Sequence, residues 1–138
     1  MEIITKSSQE TFALGQKIGS SLIGGETLAL SGNLGAGKTT FVQGLAMGLG
    51  IKSKIVSPTF ILMRSYKANK FNLYHVDLYR LEGDIKKEVT NLGLTEAWER
   101  KENIVVIEWA EKIKDMLPSG TRWIKFKALE SGDHEVIY

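Results

Sequence analysis

Three features of this sequence predict an α/β domain built on a mixed sheet. Residues 26–31 read as a short buried strand, and 103–109, with Ile104-Val105-Val106-Ile107, has the pattern of a strand buried on both faces. Segments of helical periodicity alternate with such runs. Two further regions read as hairpins and add antiparallel strands. A length of 138 residues fits one domain, 1–138, with a substantial core and no room for a second.

The elements follow in chain order. Ser7-Ser8-Gln9-Glu10 is a capping box, and Leu14, Ile18 and Leu22 form one stripe of an amphipathic helix that Gly24-Gly25 ends. Residues 26–31 form a buried strand. A glycine-rich loop, 32–40, leads into a helix running to about Leu49, with Gly50 as its stop. Ser57-Pro58 precedes a strand over 60–66, which a turn at 68–70 connects to a second strand over 71–77. Residues 84–101 predict one or two short helices broken at Gly93. After the strand at 103–109, residues 110–117 read as helical and stop at Pro118. Residues 122–129 and 135–138 form a hairpin around Ser131-Gly132-Asp133.

Composition excludes several classes. Hydrophobic residues at 43% and charged residues at 25% are globular values, which removes disorder and collagen from consideration. No run approaches 18 apolar residues, so no membrane span is expected, and the N-terminus lacks the apolar core of a signal peptide. The absence of cysteine excludes disulfides and thiolate metal sites and agrees with a cytoplasmic location. With His75 and His134 as the only histidines, a multi-histidine metal site is excluded as well. The net charge of +2 is unevenly spread. From Thr27 to Val76 there is no acid, but six bases: Lys38, Lys52, Lys54, Arg64, Lys67 and Lys70. Such a layout favours a polyanionic ligand at the basic part.

Gly32-x4-Gly37-Lys38-Thr39 matches the P-loop pattern. Glycines let successive backbone N–H groups point inward around phosphate oxygens, and the helix starting near Lys38 adds its positive end. Lys38 is expected to reach the β- and γ-phosphates of ATP, and the Thr39 hydroxyl to ligate Mg²⁺. With this composition the pattern arises by accident on the order of two times per hundred chains, and the apolar strand before it and helix after it sharpen the reading.

A partner acid for Mg²⁺ usually ends an apolar strand. Glu108, after Ile107, is the preferred metal residue, and Asp77 is assigned to water positioning or γ-phosphate sensing. Thr59 is the candidate switch residue. His75 reads as a satisfied, semi-buried histidine, and Tyr66, Tyr74, Tyr79 and Trp123 as core or rim. A guanine-reading N-K-x-D is absent: Asn69-Lys70-Phe71-Asn72 ends in Asn and precedes Glu108, and no D-x-x-G occurs, which favours ATP over GTP. No arginine-rich lid follows the loop helix, which argues for a minimal ATPase completed by a partner.

Gly32-Asn-Leu-Gly-Ala-Gly-Lys-Thr-Thr40, Ser57-Pro-Thr-Phe60, His75-Val-Asp-Leu-Tyr-Arg80 and Ile107-Glu-Trp-Ala110 together resemble the ordered motifs of the TsaE family, over about residues 8–117. These are bacterial P-loop ATPases of the tRNA threonylcarbamoyladenosine machinery. The resemblance implies a P-loop NTPase-like three-layer sandwich, a mixed sheet with a parallel core and antiparallel hairpins. It also implies weak, Mg²⁺-dependent ATP hydrolysis and association with the tRNA threonylcarbamoyltransferase subunit and its scaffold paralogue. By motif match, Gly35, Ala36, Gly37, Lys38, Thr39 and Thr40 hold phosphates, Thr39 and Glu108 hold Mg²⁺, and Asp77 and Thr59 serve catalysis or switching, with Trp109 beside the site. Ser8 and Thr11 approach the adenine. Asn33 stands where the family commonly has Asp, removing a charge near the phosphates; binding is expected to survive. Longer relatives continue past the position of Tyr138, so a C-terminal partner contact is expected to be missing. The basic residues Lys52, Lys54, Arg64, Lys67 and Lys70 are expected to approach tRNA through the complex. Two other functions compete: a small-molecule kinase, and an ATP-loaded interaction module without turnover.

Overall fold

The computed structural model describes residues 1–33, 35, 37–56, 58 and 62–138. Its elements are β1 (Glu2–Thr5), α1 (Ser8–Ser21), β2 (Thr27–Ser31), α2 (Lys38–Gly48), β3 (Met63–Lys67), β4 (Asn72–Asp77), α3 (Ile85–Asn91), α4 (Leu94–Ala97), β5 (Asn103–Glu108), a kinked 3-10 helix (Ala110–Met116), β6 (Arg122–Ala128) and β7 (His134–Ile137). Among the described residues the strands form one seven-stranded sheet in the order β1-β7-β6-β2-β5-β4-β3. The centre, β6-β2-β5-β4, is parallel; β3 adds an antiparallel edge on one side, and β7 and then β1 continue the sheet antiparallel on the other.

Strand β5 shows why the sheet is central. All six of its residues are buried, and they alternate between two cores. Ile104 and Val106 pack with Leu28, Leu30 and the α1–α2 layer. Val105 and Ile107 pack with Ala29, Val76 and the layer of α3, α4 and the 3-10 helix. Each such aliphatic side chain contributes about 1.5–3 kcal/mol on full burial, so a continuous apolar run is required where both faces are covered. This is the three-layer sandwich expected from the sequence.

Helices α1 and α2 approach so closely that glycine is obligatory between them. A Cβ on Gly15 would sit 2.2 Å from the Phe41 carbonyl oxygen, and one on Gly44 would sit 2.0 Å from that of Phe12. The contact matters for function because α2 begins at the phosphate loop, and α1 braces it from outside the sheet.

The structure departs from the expectations in local ways. Strand β1 is not anticipated from its sequence. It pairs with β7, Thr5 opposite His134 and Glu2 opposite Ile137, so a short exposed segment gains its structure from a distant partner. Strand β3 is described from Met63 rather than from residue 60; residues 60 and 61 lie outside the described residues. Residues 110–116 are a 3-10 helix, entered through Trp109 in a left-handed conformation (φ 60°) and kinked at Ile113. No described helix is long and apolar enough to cross a membrane.

Candidate functional site

The site lies at the carboxyl ends of the parallel strands, where open α/β sheets bind ligands. Strand β2 ends at Ser31, the chain turns through Gly32, Gly35 and Gly37, all with positive φ, and α2 starts at Lys38. Gly37 stands at the helix N-cap with φ 96°, which leaves the first N–H groups of α2 without a side-chain cap and open to an anion. A Cβ there would meet the His134 ring at 3.0 Å and Thr11 at 3.4 Å, so only glycine lets α2 begin here.

A cavity of about 360 Å³ opens above this loop. Gly35, Gly37, Lys38, Thr39 and Thr40 line it from one side, Asp77 and Tyr79 from the end of β4, Glu108 and Trp109 from the end of β5, and His134 from β7. The parallel register sets Asp77 directly opposite Glu108, and Glu108 opposite Leu30, so the two acids stand side by side next to the strand that feeds the loop. Both are buried, as is Lys38.

Lys38 is folded back. Its ammonium donates to the Gly32 carbonyl and lies 4.1 Å from the centroid of the Trp109 ring. Burial holds its pKa below the usual lysine value, against the opposing attraction of Glu108, Glu111 and Asp77. Trp109 is in turn tilted against Tyr79, with ring centroids 5.1 Å apart. Among the described residues Lys38 forms no ion pair with a carboxylate and rests on aromatic and carbonyl groups.

The acids are held from behind. Asp77 accepts from the Tyr79 N–H at 2.9 Å, shaping the turn after β4. That turn is fixed by Lys112 of the 3-10 helix, whose ammonium donates to the carbonyls of Leu78, Tyr79 and Leu81 at 3.0, 2.8 and 3.0 Å. Glu108 Oε2 is hydrogen-bonded to His75 Nε2 at 2.6 Å. The potential metal donors, the Thr39 hydroxyl with the carboxylates of Glu108 and Asp77, are all oxygen, the set a hard cation takes. Among the described residues no group of three or more His, Cys, Asp or Glu is arranged to hold a metal alone. The set therefore fits Mg²⁺, which is commonly held by one or two protein oxygens together with phosphates and water.

The geometry brings most of the residues singled out in the sequence to one cavity. Ala36 and Thr59 lie outside the described residues. Thr11 approaches Gly37 but is fully buried, with its hydroxyl bonded to that of Thr5 at 2.6 Å. Ser8, at the exposed start of α1, is not among the lining residues. Tyr79 is a wall of the cavity and not only core or rim, and His75 is fully rather than partly buried. Sequence reasoning did not find His134 or Lys112. His134 reaches the loop through the β7 pairing, and no local signal carries it; Lys112 looks like any surface lysine of a helical stretch.

Comparison with known proteins decides the family. The model of the family described as threonylcarbamoyl adenosine biosynthesis protein TsaE matches residues 5–136. The chain belongs to the TsaE family. Relatives named tRNA threonylcarbamoyladenosine biosynthesis protein TsaE include one from Nostoc sp., 46% identical over 115 residues, covering 81% of this chain and 69% of that one. Another, from Treponema pallidum, is 38% identical over 136 residues, 99% and 98% of the two chains. The crystal structure of Bacillus subtilis YdiB superposes with a TM-score of 0.80 at 32% identity, covering 99% of this chain and 82% of that one. Three of the four motifs quoted from the sequence contribute residues to the cavity wall: Gly35 and Gly37 to Thr40, Asp77 and Tyr79, and Glu108 and Trp109.

Proposed function

We propose that this chain is a Mg²⁺-dependent ATPase that serves threonylcarbamoyladenosine formation in tRNA by acting on the transferase and its scaffold paralogue, without itself transferring the group. The observation that carries the reading is the convergence of Lys38, Thr39, Asp77 and Glu108 on one cavity of about 360 Å³ at a helix N-terminus. Names of relatives supply the pathway.

In this reading the N–H groups at the start of α2 and the Lys38 ammonium bind the β- and γ-phosphates. Thr39 and Glu108 would hold Mg²⁺, which neutralises charge on the phosphate oxygens. Asp77, held by its own turn, orients the attacking water. Trp109 and Tyr79 shield Lys38 from solvent, which strengthens its attraction to phosphate. Partner proteins complete the site. Exposed Lys52 and Lys54 after α2, Arg64 and Lys67 on edge strand β3, and Lys70 in the following turn provide the basic surface for tRNA within that complex.

The test measures ATP turnover with and without the transferase pair, for the wild type and Glu108→Gln. Slow hydrolysis that rises with the pair, with nucleotide still bound but turnover reduced by about 10²-fold in the variant, is the expected result. Tight binding with no turnover even in the full assembly would replace the ATPase by a nucleotide-loaded docking module. Turnover that needs a small acceptor would point to a kinase.

A further inference from the structure

His75 lies on β4 two residues before Asp77, on the same face of the sheet, and the neighbouring strand carries Glu108 one diagonal step away. It is fully buried, with Nε2 2.6 Å from Glu108 Oε2. An ionised carboxylate can only accept, and His75 Nε2 is then the donor of this bond. Its Nδ1 is buried and has no hydrogen-bond partner among the described residues. A histidine that was merely satisfied core would have both nitrogens engaged. Here one nitrogen has no partner among the described residues, while the other makes a short bond to a residue of the cavity wall.

We propose that His75 is a positioning residue for Glu108. The bond fixes one carboxylate oxygen inward, along the sheet, and leaves the other for the cavity that Glu108 lines. Without it, the carboxylate would swing about its side-chain torsions in a buried site, and an oxygen ligand would have to be ordered each time an ion binds. This is how second-layer hydrogen bonds tune metal sites: they set orientation in advance, and their loss typically weakens binding about 10- to 100-fold. The inference rests on the proposed role of Glu108, and extends it to a residue that touches neither nucleotide nor ion.

Two measurements test it. The first needs no metal: in the ¹⁵N-labelled protein the Nε2–H of His75 gives a protected, downfield proton signal, which Glu108→Ala removes. Absence of that signal in the wild type would overturn the bond itself. The second is a Mg²⁺ titration of the affinity for a fluorescent ATP analogue. His75→Gln keeps an N–H donor at the reach of Nε2, whereas the amide of His75→Asn falls short. Half-saturation by Mg²⁺ is expected to rise about 10- to 100-fold in His75→Asn and to return to within a few-fold of wild type in His75→Gln, with metal-free affinity unchanged in both. In a Glu108→Ala background the Asn substitution is expected to add nothing, since its effect passes through that carboxylate. Equal Mg²⁺ responses in wild type and His75→Asn, or equal impairment in Asn and Gln variants, would overturn the proposal while sparing the ATPase reading. A wild type whose nucleotide affinity ignores Mg²⁺ would overturn both.

Discussion

The two ends of the parallel strands are built to opposite rules. At the carboxyl ends, Lys38, His75, Asp77 and Glu108 are all buried, and charge is concentrated around a cavity of about 360 Å³. At the amino ends the buried polar side chains are the neutral Thr27 and Asn103. Asn103 is used wholly within the protein: its side chain donates to the Ala97 carbonyl at 2.9 Å and accepts from Asn72 at 3.3 Å, while its own carbonyl accepts from Gly25 at 2.9 Å. A hollow of about 260 Å³ exists there too, between Ile23, Thr27, Trp98 and Pro118, so cavity volume alone does not mark function. What separates the ends is desolvated charge. Burying an ammonium or carboxylate is unfavourable unless it is paired, and a fold retains such groups where a ligand supplies the compensation.

The comparison predicts opposite behaviour from one substitution at each end. Lys38→Met removes the buried ammonium but keeps the apolar stem against Trp109. Nucleotide affinity and turnover are expected to fall by about 10²-fold or more, while thermal stability holds or rises, because the lowered pKa of Lys38 marks a charge that burial disfavours. A clear loss of Tm would break the comparison, since it would mean that the site end is held together by its charge.

Gly44→Ala tests whether the helix layer belongs to one end or to both. The new methyl group would lie 2.0 Å from the Phe12 carbonyl oxygen, backbone that has no rotamer by which to yield. A destabilisation of about 3 kcal/mol is expected from such overpacking, together with weaker nucleotide binding, because displacing α2 moves the loop it begins. Unfolding by denaturant and nucleotide titration on the same samples read both effects.

Asn103→Ala is the counterpart of the lysine variant. It strands the Ala97 carbonyl and is expected to destabilise by about 1–3 kcal/mol, with nucleotide affinity and turnover unchanged. Activity lost in proportion to stability would show that the amino ends transmit to the site.

These contrasts also explain what was legible in the sequence. The loop, the strands that feed it and both acids were readable because each is a local pattern: glycine spacing, an apolar run, an acid at its end. β5 was legible for the same reason, since burial on both faces leaves no polar position in the run. What escaped depends on contacts between distant segments. Strand β1 exists because β7 pairs with it. His134 enters the cavity wall through the chain's last strand, and Lys112 becomes a clamp only when the turn after β4 presents three carbonyls to it. The glycines of α1 and α2 are unremarkable in sequence, and their necessity appears only when the helices are packed together.

The smallest expected effect sharpens the comparison at its boundary. Glu111, in the first turn of the 3-10 helix beyond Trp109, has its pKa raised from the ordinary carboxyl value of 4.5, chiefly by desolvation, with the attraction of Lys38 working against the shift. Between 4.5 and the raised value the folded protein binds more protons than the unfolded chain, so stability falls as pH climbs through that window and the ionised group is unfavourable at pH 7. Glu111→Gln is therefore expected to raise stability at pH 7, by less than about 0.5 kcal/mol at this exposed position, and to change nothing once the pH is low enough to protonate the wild-type carboxyl in both states. Repeating the substitution in the Lys38→Met background isolates the cause. With the ammonium gone, desolvation is opposed only by Lys112 and a backbone hydrogen bond, so the gain at pH 7 is expected to grow. A gain of the same size in both backgrounds would mean that Lys38 and Glu111 do not sense each other, and that the charged end of the sheet stops at Trp109.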